Sequence, residues 1–340
     1  MVDDNYPTIS VILPFYNEEN NLKRLLPSLK RMDYPKNKIE YVFVNDGSTD
    51  GSAELARKFG CRLINVNTHD IELNKGIGLH TARGDLVYWL DADMEVCSTD
   101  FFTQLTKPLV EDPTIGASFT NEFAQDAGSV KVESSLLRFI SYHPLQQDPL
   151  YAFFSPDLEK QVVEKRKNYL ICRFIPGKIP AVGRILYRRK ELLKTAVGKS
   201  KPFIDMEAVE MYTRGGHNLY AYVPNAKIRH YHAENLRELI EKRLRNLERD
   251  YLPNYDHKYF LWLNPNDKKD IIKIIFWVIY ANLFLPEFVR GIIRAVYYKD
   301  TALLWHPVVS ILTTDAIVIG FLSKHKGRKI IFNLFKNLLN

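Results

Sequence analysis

The sequence predicts an α/β fold with a mostly parallel, doubly wound sheet and helices on both faces, followed by C-terminal hydrophobic helices. Two patterns in the first 120 residues indicate the sheet. Short apolar or β-branched runs alternate with stretches whose leucines recur at helical spacing, and polar turns follow the ends of these runs. Long, nearly uncharged stretches after residue 270 predict the hydrophobic helices.

Each element has its own local signal. Apolar runs predict the strands Thr8–Leu13, Ile39–Val44, Arg62–Val66 and Leu86–Leu90. Helical spacing and capping residues predict the helices Glu18–Lys30, Thr49–Phe59 and Thr99–Val110. A further helix-like stretch follows Asn74-Lys75-Gly76 and ends at Arg83-Gly84-Asp85. Later patterns predict the helices Asp205–Arg214 and Asn235–Tyr251 and the strands Tyr220–Val223 and Lys227–His230. Residues 125–200 are irregular and polar, which is typical of substrate loops.

Size, charge and cysteine content limit the class of protein. The 340 residues accommodate one domain of about 250 residues with an appendage, or two ordinary domains. A net charge of +7 fits a diphosphate ligand, a nucleic acid or an anionic membrane, and does not choose among them. Cys61, Cys97 and Cys172 are widely spaced, which predicts reduced thiols without a disulfide framework or a zinc site. The acidic, polar segment 1–5 predicts no signal peptide.

The most informative motif is Asp91-Ala92-Asp93, at the exit of the apolar strand Leu86–Leu90. Two carboxylates at a strand end can turn towards one divalent cation, and Mg²⁺ or Mn²⁺ takes such ligands together with phosphates. A charged turn is the simpler explanation of a lone motif of this kind. Here the turns Pro14–Glu18 and Asn45–Thr49 also follow strand ends, where parallel sheets bind ligands. The three turns therefore predict one site for a nucleotide diphosphate sugar.

Three segments, in this order and at these distances, resemble the family 2 glycosyltransferases of the GT-A fold. They are Ile12–Glu18, Val44–Asp50 and Leu90–Asp93. The resemblance extends over about residues 8–250. It implies a Rossmann-like GT-A domain that inverts the anomeric centre of a sugar taken from a nucleotide donor. Hydrophobic segments after such a domain also resemble the membrane-bound members, including polyprenyl-phosphate sugar synthases and cellulose synthases.

Chemistry and resemblance together nominate donor-site residues. The predicted nucleotide-sugar-binding residues are Pro14, Tyr16, Glu18, Asp46, Lys75 and Asp91. Pro14 is expected to end the first strand, and the carboxylates of Glu18 and Asp46 to accept hydrogen bonds from ribose hydroxyls and a base N–H. The resemblance puts Asp46 at the base and Lys75 near the donor. The simpler alternatives are a turn with a helix cap for Asn45–Asp50 and a solvated surface lysine for Lys75.

The predicted metal ligands are Asp91 and Asp93, with Asp93 binding directly and Asp91 touching ribose or metal-bound water. The resemblance adds Glu95 as a third ligand in some polyprenyl-phosphate mannose synthases. It also adds His230, near the metal or the leaving phosphate, with His232 as a weaker match. An exposed loop acid and a core or surface histidine are the simpler alternatives for Glu95 and His230.

An inverting transfer to a hydroxyl needs a base opposite the leaving group. The family places an Asp at a fixed distance before a glycine, and counting back from Gly216 gives Asp205 as the base. This chain has Ile204 where the family has Glu, and Glu207 and Glu210 are alternatives. A helix-capping role for Asp205 is the simpler explanation. Residues 173–201 contain nine Lys or Arg residues and only one acid. This basic run predicts a phosphate site, a membrane-binding patch or a solvated surface.

The chain is expected to form a catalytic domain, 1–250, and a membrane-attachment region, 251–340. The domain would have a nucleotide-sugar half, about 1–125, and an acceptor half, about 126–250. In the attachment region, segments at about 271–289 and 302–322 predict spans or interfacial helices, and about 328–340 an amphipathic tail. A buried helical subdomain is the alternative. The basic residues 324–329 predict a cytoplasmic side, whereas Arg290, Arg294 and Lys299 in the expected connecting loop count against it.

These features predict an inverting hexosyltransferase at the cell membrane, with its catalytic domain on the cytoplasmic face. The expected donor is GDP-mannose or a UDP-sugar, the cofactor Mg²⁺ or Mn²⁺, and the acceptor a lipid-linked glycan or a polyprenyl phosphate. No nucleic acid partner is expected. One alternative is a non-catalytic binding or scaffold protein that keeps the fold. Another is a processive polysaccharide synthase, although the helix with Arg243, Arg245 and Arg249 lacks the glutamine-arginine-tryptophan motif of such synthases.

Overall fold

The computed structural model describes residues 6–120, 135–142, 154–199, 202–253, 255, 264 and 266–339. The chain divides into two compact units, which we call the sheet unit and the helical unit. The sheet unit comprises 1–124 with 156–230, and the helical unit comprises 125–155 with 231–340. Two stretches of the expected acceptor half, 126–134 and 143–153, lie outside the described residues. The division into a catalytic domain and a membrane-attachment region stays a prediction.

The strands follow the predicted order along the chain. They are β1 Ile9–Phe15, β2 Ile39–Asn45, β3 Arg62–Asn65, β4 Leu86–Trp89, β5 Met94–Val96, β6 Ala117–Phe119, β7 Val162–Lys165, β8 Leu170–Arg173, β9 Ile185–Arg188, β10 Leu219–Tyr222 and β11 Ile228–His230. Within the described residues, nine of them form one sheet in the order β3-β2-β1-β4-β9-β6-β10-β8-β7, and β5 pairs with β11.

The helices of the described chain connect these strands and make up the C-terminal part. They are α1 Glu19–Lys30, α2 Ser52–Phe59, α3 Ile71–Thr81, α4 Phe101–Glu111, α5 Ser135–Tyr142, α6 Arg189–Leu192, α7 Ala196–Lys199, α8 Asp205–Arg214, α9 Leu236–Asn246, α10 Lys268–Asn282, α11 Phe284–Tyr298, α12 His306–Ser323 and α13 His325–Leu339. A π-helical turn, Leu247–Tyr251, continues α9, and a 3₁₀ turn, Thr301–Trp305, precedes α12.

The first half of the sheet is parallel, as predicted. β1 is buried along its whole length and pairs in parallel with β2 and β4, while β2 pairs in parallel with β3. This follows from the near-continuous apolar runs, which are typical of strands covered on both faces. In the second half, β9 runs antiparallel between β4 and β6, so the sheet is mixed. The prediction of an irregular stretch over 125–200 was wrong for β7 and β8, which form a hairpin that extends the sheet beside β10.

Two local predictions in the sheet unit need correction. Pro14 does not end the first strand, because β1 continues to Phe15. A proline is tolerated there because β4 ends at Trp89, opposite Ile12, and leaves no partner strand beside Pro14 on that side.

The sequence also put the third helix after Gly76, but α3 begins at Ile71. The Asp70 carboxylate caps it, accepting hydrogen bonds from the backbone N–H groups of Glu72 and Leu73. Asn74, Lys75 and Gly76 therefore lie inside the helix. Further along α3, a Cβ at Gly78 would overlap the Ile12 side chain, so this glycine lets the helix approach β1 closely.

The helical unit differs more from its prediction. The segment 271–289 is not one helix, because the chain breaks at Leu283 into α10 and α11, bent by 80°. Pro286 lies in the first turn of α11, where a backbone N–H would have no partner within the helix. Arg290 and Arg294 lie within α11 and not in a connecting loop. Residues 231–250 group with the C-terminal helices in the helical unit.

Candidate functional site

The first two polar turns are joined at the carboxyl edge of the parallel strands. Phe15 of β1 lies opposite Asn45 of β2. The Asn17 backbone N–H donates to Ser48 Oγ at 3.0 Å, and the Thr49 N–H donates to Asn17 Oδ1 at 2.8 Å. Asn17 has φ of 53°, a left-handed conformation that asparagine tolerates better than most residues. The turns therefore meet, as the strand-end argument expected.

Asp46 is buried beneath this edge, with 5% of its surface exposed. Its Oδ1 accepts hydrogen bonds from the backbone N–H groups of Thr68 at 2.7 Å and His69 at 3.1 Å. Its Oδ2 accepts from Asn74 Nδ2 at 2.9 Å. The Thr68 hydroxyl also lies 3.4 Å from both carboxylate oxygens. Asp46 thus holds the segment before α3, a structural role that the sequence did not predict.

The other predicted donor residues of the first turn differ in exposure. Pro14 is buried within β1, so only its backbone shapes the edge. Tyr16 is 50% exposed, and its ring meets the His69 ring edge-on with centroids 6.2 Å apart. Glu18 is half-buried and accepts a hydrogen bond from Asn21 Nδ2. Tyr16 is therefore the open apolar surface of this turn, suited to contact a flat ring.

The Asp91–Asp93 turn lies beside the end of β1, because the Leu90 N–H donates to Ile12 O at 3.0 Å. Asp91 is exposed, whereas the Asp93 side chain is 18% exposed. Crowding by protein atoms raises the pKa of Asp91 although its side chain stays open to water, and the Lys75 ammonium opposes that rise. The carboxylate of Asp93 raises the Asp91 pKa further. The two acids therefore share one crowded, solvent-accessible position.

Asp93 is brought to His230 by the pairing of β5 with β11, in which His230 lies opposite Met94. Asp93 Oδ1 and His230 Nε2 are 3.4 Å apart. An octahedral ion with bonds of about 2.1 Å holds neighbouring ligand atoms about 3 Å apart. A carboxylate oxygen and a neutral imidazole nitrogen at this spacing fit a divalent ion such as Mn²⁺.

Glu95 lies two residues beyond Asp93 and is 7% exposed, so it is not an exposed loop acid. Its carboxylate oxygen Oε1 is 3.6 Å from Nη1 of Arg229, on the facing strand β11. The pair partly neutralises the charge that a metal ligand would contribute. The ligand role of Glu95 stays a prediction.

Lys75 connects the donor edge to the predicted base. It is 7% exposed, and its Nζ lies 2.7 Å from Asp205 Oδ2 and 3.4 Å from Glu72 Oε1. Burial lowers the pKa of Lys75, but the carboxylates of Asp205, Glu72 and Asp91 outweigh burial and raise it overall. Lys75 is therefore a buried cation among carboxylates, and the surface-lysine alternative is wrong.

Asp205 is 52% exposed in its side chain and lies in the first turn of α8. The N-cap of α8 is Ile204, with no side-chain capping bond, so Asp205 is not the capping residue. The alternatives Glu207 and Glu210 are 5% and 1% exposed. Glu210 pairs with Arg214 at 2.6 Å and accepts the Gly177 N–H at 2.9 Å, which is a structural role. Asp205 is thus the most accessible of the three.

Arg184 is a residue of this site that the sequence did not single out. Extending the registers of β9 puts it opposite Leu90 on one side and Thr120 on the other. Burial lowers the pKa of Arg184, while Tyr88 and the carboxylates of Asp91, Asp205 and Asp93 act to raise it. Its φ of 54° is a left-handed strain that an ordinary side chain avoids. The basic run 173–201 was the available signal, but choosing this member required the strand register.

Comparison with known proteins assigns the first part of the chain. Residues 10–158 match the model of the family described as Glycosyl transferase family 2. This chain carries a family 2 glycosyltransferase domain. Asp46, Lys75, Asp91 and Asp93 lie within the matched residues, whereas Asp205 and His230 lie beyond them. The predicted family is confirmed.

Two curated relatives share part of the domain. Glycosyltransferase AglE of Haloferax volcanii is 33% identical over 93 residues, covering 26% of this chain and 31% of the relative. An undecaprenyl-phosphate 4-deoxy-4-formamido-L-arabinose transferase of Aeromonas hydrophila is 38% identical over 100 residues, covering 26% and 29%. The matches thus span less than a third of either relative.

A solved structure resembles the fold over most of the chain. It is the mannosyltransferase PcManGT of Pyrobaculum calidifontis in complex with GDP-Man and Mn²⁺. The TM-score is 0.50 at 16% identity, and the match covers 92% of this chain and 87% of that one. This likeness confirms the predicted GT-A fold of the family 2 domain with helices after it.

Proposed function

We propose that this protein is a metal-dependent, inverting glycosyltransferase that moves one hexose from a nucleotide diphosphate sugar to an acceptor at a membrane. The observation that carries the proposal is the meeting of Asp91, Asp93, Lys75, Arg184 and Asp205 at the edge formed by the first two polar turns. Such an edge suits a donor whose anionic diphosphate arrives together with a cation.

In this mechanism Asp93, with His230 or Glu95, holds the divalent ion, and Asp91 orients ribose or metal-bound water. A divalent ion held by these residues would supply positive charge that stabilises the diphosphate leaving group. Tyr16, Glu18 and Asp46 bind the nucleoside. Arg184 and Lys75 supply fixed positive charge beside the carboxylates and thereby favour the anionic leaving group.

Asp205 is proposed as the general base for a hydroxyl acceptor. The acceptor oxygen attacks the anomeric carbon, its proton passes to Asp205, and the bond from that carbon to the phosphate oxygen breaks to release the nucleoside diphosphate. Its Oδ2 lies 2.7 Å from Nζ of Lys75, which holds the carboxylate at the donor edge. If the acceptor is already a phosphate anion, no base is needed, and Asp205→Asn keeps substantial activity.

The donor is proposed to be GDP-mannose or a UDP-sugar. A neighbour of the same fold was solved with GDP-Man and Mn²⁺, which supports the first choice and that cation. An acceptor of the polyprenyl-phosphate or lipid-linked class is supported by the name of the Aeromonas hydrophila relative. The apolar helices after residue 267 support attachment to the membrane, with the catalytic domain on the cytoplasmic face.

The test is a donor and acceptor screen with the purified full chain. Nucleoside diphosphate release is measured for UDP- and GDP-sugars with Mn²⁺ and with Mg²⁺, and products from extracted lipids are weighed by mass spectrometry. Single-sugar addition to a lipid supports the proposal, and long polymers would favour a processive synthase. Donor binding without transfer or hydrolysis would favour a scaffold protein. The matched variants are Asp93→Asn and Glu54→Gln, the latter an exposed acid of α2.

A further inference from the structure

The helix that could cross a membrane is enclosed by other helices. Among the described residues, Thr301–Ser323 is the one straight helix long and apolar enough for a span. Half of its apolar window is buried within the protein. Its α12 portion packs against α9, α10, α11 and α13. Its inward face includes the polar residues Ser310, Thr313 and Thr314, each at most 1% exposed. This is the pattern of a core helix.

The neighbour α9 makes a crossing by α12 unfavourable. Towards one end of α12, Val309 shares an apolar cluster with Leu239 of α9. Towards the other end, Gly320 lies so close to the start of the π-helical turn that a Cβ there would overlap Leu247. The two segments therefore run side by side over at least the eight residue steps from Leu239 to Leu247, about 12 Å at 1.5 Å per residue.

The outer side of α9 is charged. Its exposed residues include Arg237, Glu241 and Arg245. If α12 crossed the hydrocarbon, these charges would be carried into it, and ionised side chains there are costly unless they face protein or water. At the end of α12, the Lys324–Glu248 pair at 2.7 Å ties the connection to α13 to the same charged stretch.

The exposed apolar surface lies on α10 and α11 instead. On α10 and its end, Ile272, Phe276, Ile279 and Leu283 recur at helical spacing and are 48–56% exposed. The corresponding residues of α11 are Leu285, Val289, Ile293 and Val296, which are 48–74% exposed. The inward residues of the same helices, including Trp277, Ala281 and Glu287, are buried. Each helix thus presents a continuous apolar stripe outwards.

The lengths and charges of this pair suit the surface of a bilayer and not its interior. Each helix has 15 residues, about 22 Å, and the bend of 80° prevents the pair from acting as one straight span. Exposed lysines lie at both outer ends, namely Lys268 and Lys269 in the first turn of α10 and Lys299 directly after α11. Apolar stripes bounded by lysines are typical of helices that lie in the plane of an anionic membrane.

We propose that this protein attaches to one leaflet of an anionic lipid membrane through the outer faces of α10 and α11, and that α12 does not cross. The exposed residues Phe332, Phe335 and Leu339 of α13 extend the apolar surface of the helical unit. This inference deepens the membrane attachment in the proposed function but is independent of the transfer reaction. It predicts that Lys299 and Lys329, at opposite ends of α12, lie on the same side of the membrane.

A topology experiment tests the crossing directly. Lys299→Cys and Lys329→Cys are expressed separately in the full chain, and the unsubstituted chain measures labelling of Cys61, Cys97 and Cys172. A membrane-impermeant maleimide is applied to vesicles of either orientation, and labelling in detergent establishes that both new thiols react. Both are expected to be labelled in the same vesicle orientation. Labelling in opposite orientations would overturn the proposal, since α12 would then span.

A vesicle flotation experiment tests whether the apolar outer faces of α10 and α11 bind a lipid membrane. The purified full chain is mixed with phosphatidylcholine vesicles with and without phosphatidylglycerol. The variant Phe276→Gln with Val296→Gln is expected to lose at least tenfold in vesicle binding, and phosphatidylglycerol to strengthen binding by the native chain. The control is Val110→Gln with Val163→Gln, at exposed positions of the sheet unit. The proposal would be overturned if the Phe276→Gln and Val296→Gln variant bound vesicles as strongly as the native chain. It would also be overturned if the substitutions changed only the self-association of the protein and not its vesicle binding.

Donor hydrolysis by the same variants separates this inference from the proposed function. The Phe276→Gln and Val296→Gln variant is expected to hydrolyse a soluble donor at the native rate. An inactive native chain that still floats with vesicles would refute the transfer reaction and leave the attachment intact.

Discussion

The edge of the sheet and the core of the helical unit both enclose charged side chains, but they leave them in different states. In the helical unit the charges are closed into pairs. Arg138 lies 2.6 Å from Asp300, and His306 lies 2.5 Å from Glu287, with both members of the second pair at most 2% exposed. The Arg138–Asp300 pair joins opposite charges, and the His306–Glu287 pair is enclosed by the protein, so both pairs act within the fold.

At the sheet edge the charges stay open. Asp91 is exposed, the Asp205 side chain is 52% exposed, and Lys75 and Arg184 do not outnumber the surrounding carboxylates. This comparison shows that charged side chains buried in pairs stabilise the fold. A group of accessible carboxylates that outnumber the nearby cations instead fits a ligand that brings positive charge. A cation bound with a diphosphate meets that requirement.

The largest expected effect comes from removing the acid that this comparison puts at the metal. Asp93→Asn should lower kcat/KM by about a thousandfold or more, because several kcal/mol of charge stabilisation depend on the bound ion. Steady-state release of nucleoside diphosphate measures the loss. Glu54→Gln, an exposed acid paired with Lys58, should retain native activity. Equal losses in both variants would mean that the open edge is not the reactive one.

Two substitutions of Arg184 separate the effect of its positive charge on activity from the effect of its left-handed backbone conformation on stability. Arg184→Ala and Arg184→Gly should each lower kcat/KM by about 10²-fold, the scale of one lost electrostatic contact at a transition state. The glycine variant should be more stable than the alanine variant by about 1 kcal/mol, because φ is 54° at this position. Urea unfolding measures this difference. Native activity in both variants would show that the strained arginine serves the fold alone.

Replacing the predicted metal ligand His230 should have a smaller effect, which a measurement of Mn²⁺ affinity detects directly. His230→Gln should weaken Mn²⁺ binding by at least about tenfold, because the imidazole lies beside the Asp93 carboxylate at ligand spacing. Electron paramagnetic resonance of free Mn²⁺, titrated in the presence of nucleoside diphosphate, reports binding without turnover. His217→Gln is the control, since His217 faces Glu191 at 3.4 Å elsewhere in the sheet unit. Unchanged Mn²⁺ affinity would remove His230 from the ligand set.

The two regions also differ in how far the sequence could predict them. At the sheet edge, apolar runs fix where the parallel strands end, so the meeting of Asn17 with Ser48 and Thr49 follows from local pattern and topology. Arg184 could not be chosen, because its position depends on β9 inserting antiparallel between β4 and β6. The start of α3 was predictable from Asp70, whose capping position was overlooked.

In the helical unit, hydropathy alone does not distinguish a membrane span from a core helix. An apolar stretch such as α12 has the same composition whether lipid or protein surrounds it. What distinguishes the two is the hydrophilic helix α9 beside it, which the sequence assigned to the other domain. The break at Leu283 was signalled by Pro286, but a proline near an apolar stretch does not reveal whether one helix kinks or a new helix begins.

The smallest expected effect tests whether the His306–Glu287 pair stays buried in the folded helical unit. Burial lowers the pKa of His306 below its usual value of 6.5. The Glu287 carboxylate acts to raise this pKa, whereas the positive charges of Arg294 and Arg290 lower it further. The unfolded chain therefore binds this proton more readily than the folded chain. Stability should be complete above pH 6.5 and fall as the pH drops below it.

Urea unfolding at pH 7.5 and 5.5 measures this loss. His306→Gln should flatten the pH dependence by removing the titrating group, whereas His325→Gln, at an exposed position, should leave it unchanged. If the His306→Gln chain keeps the full acid sensitivity, the loss arises elsewhere. The pair would then contribute no more to the pH response of the helical unit than an exposed histidine does.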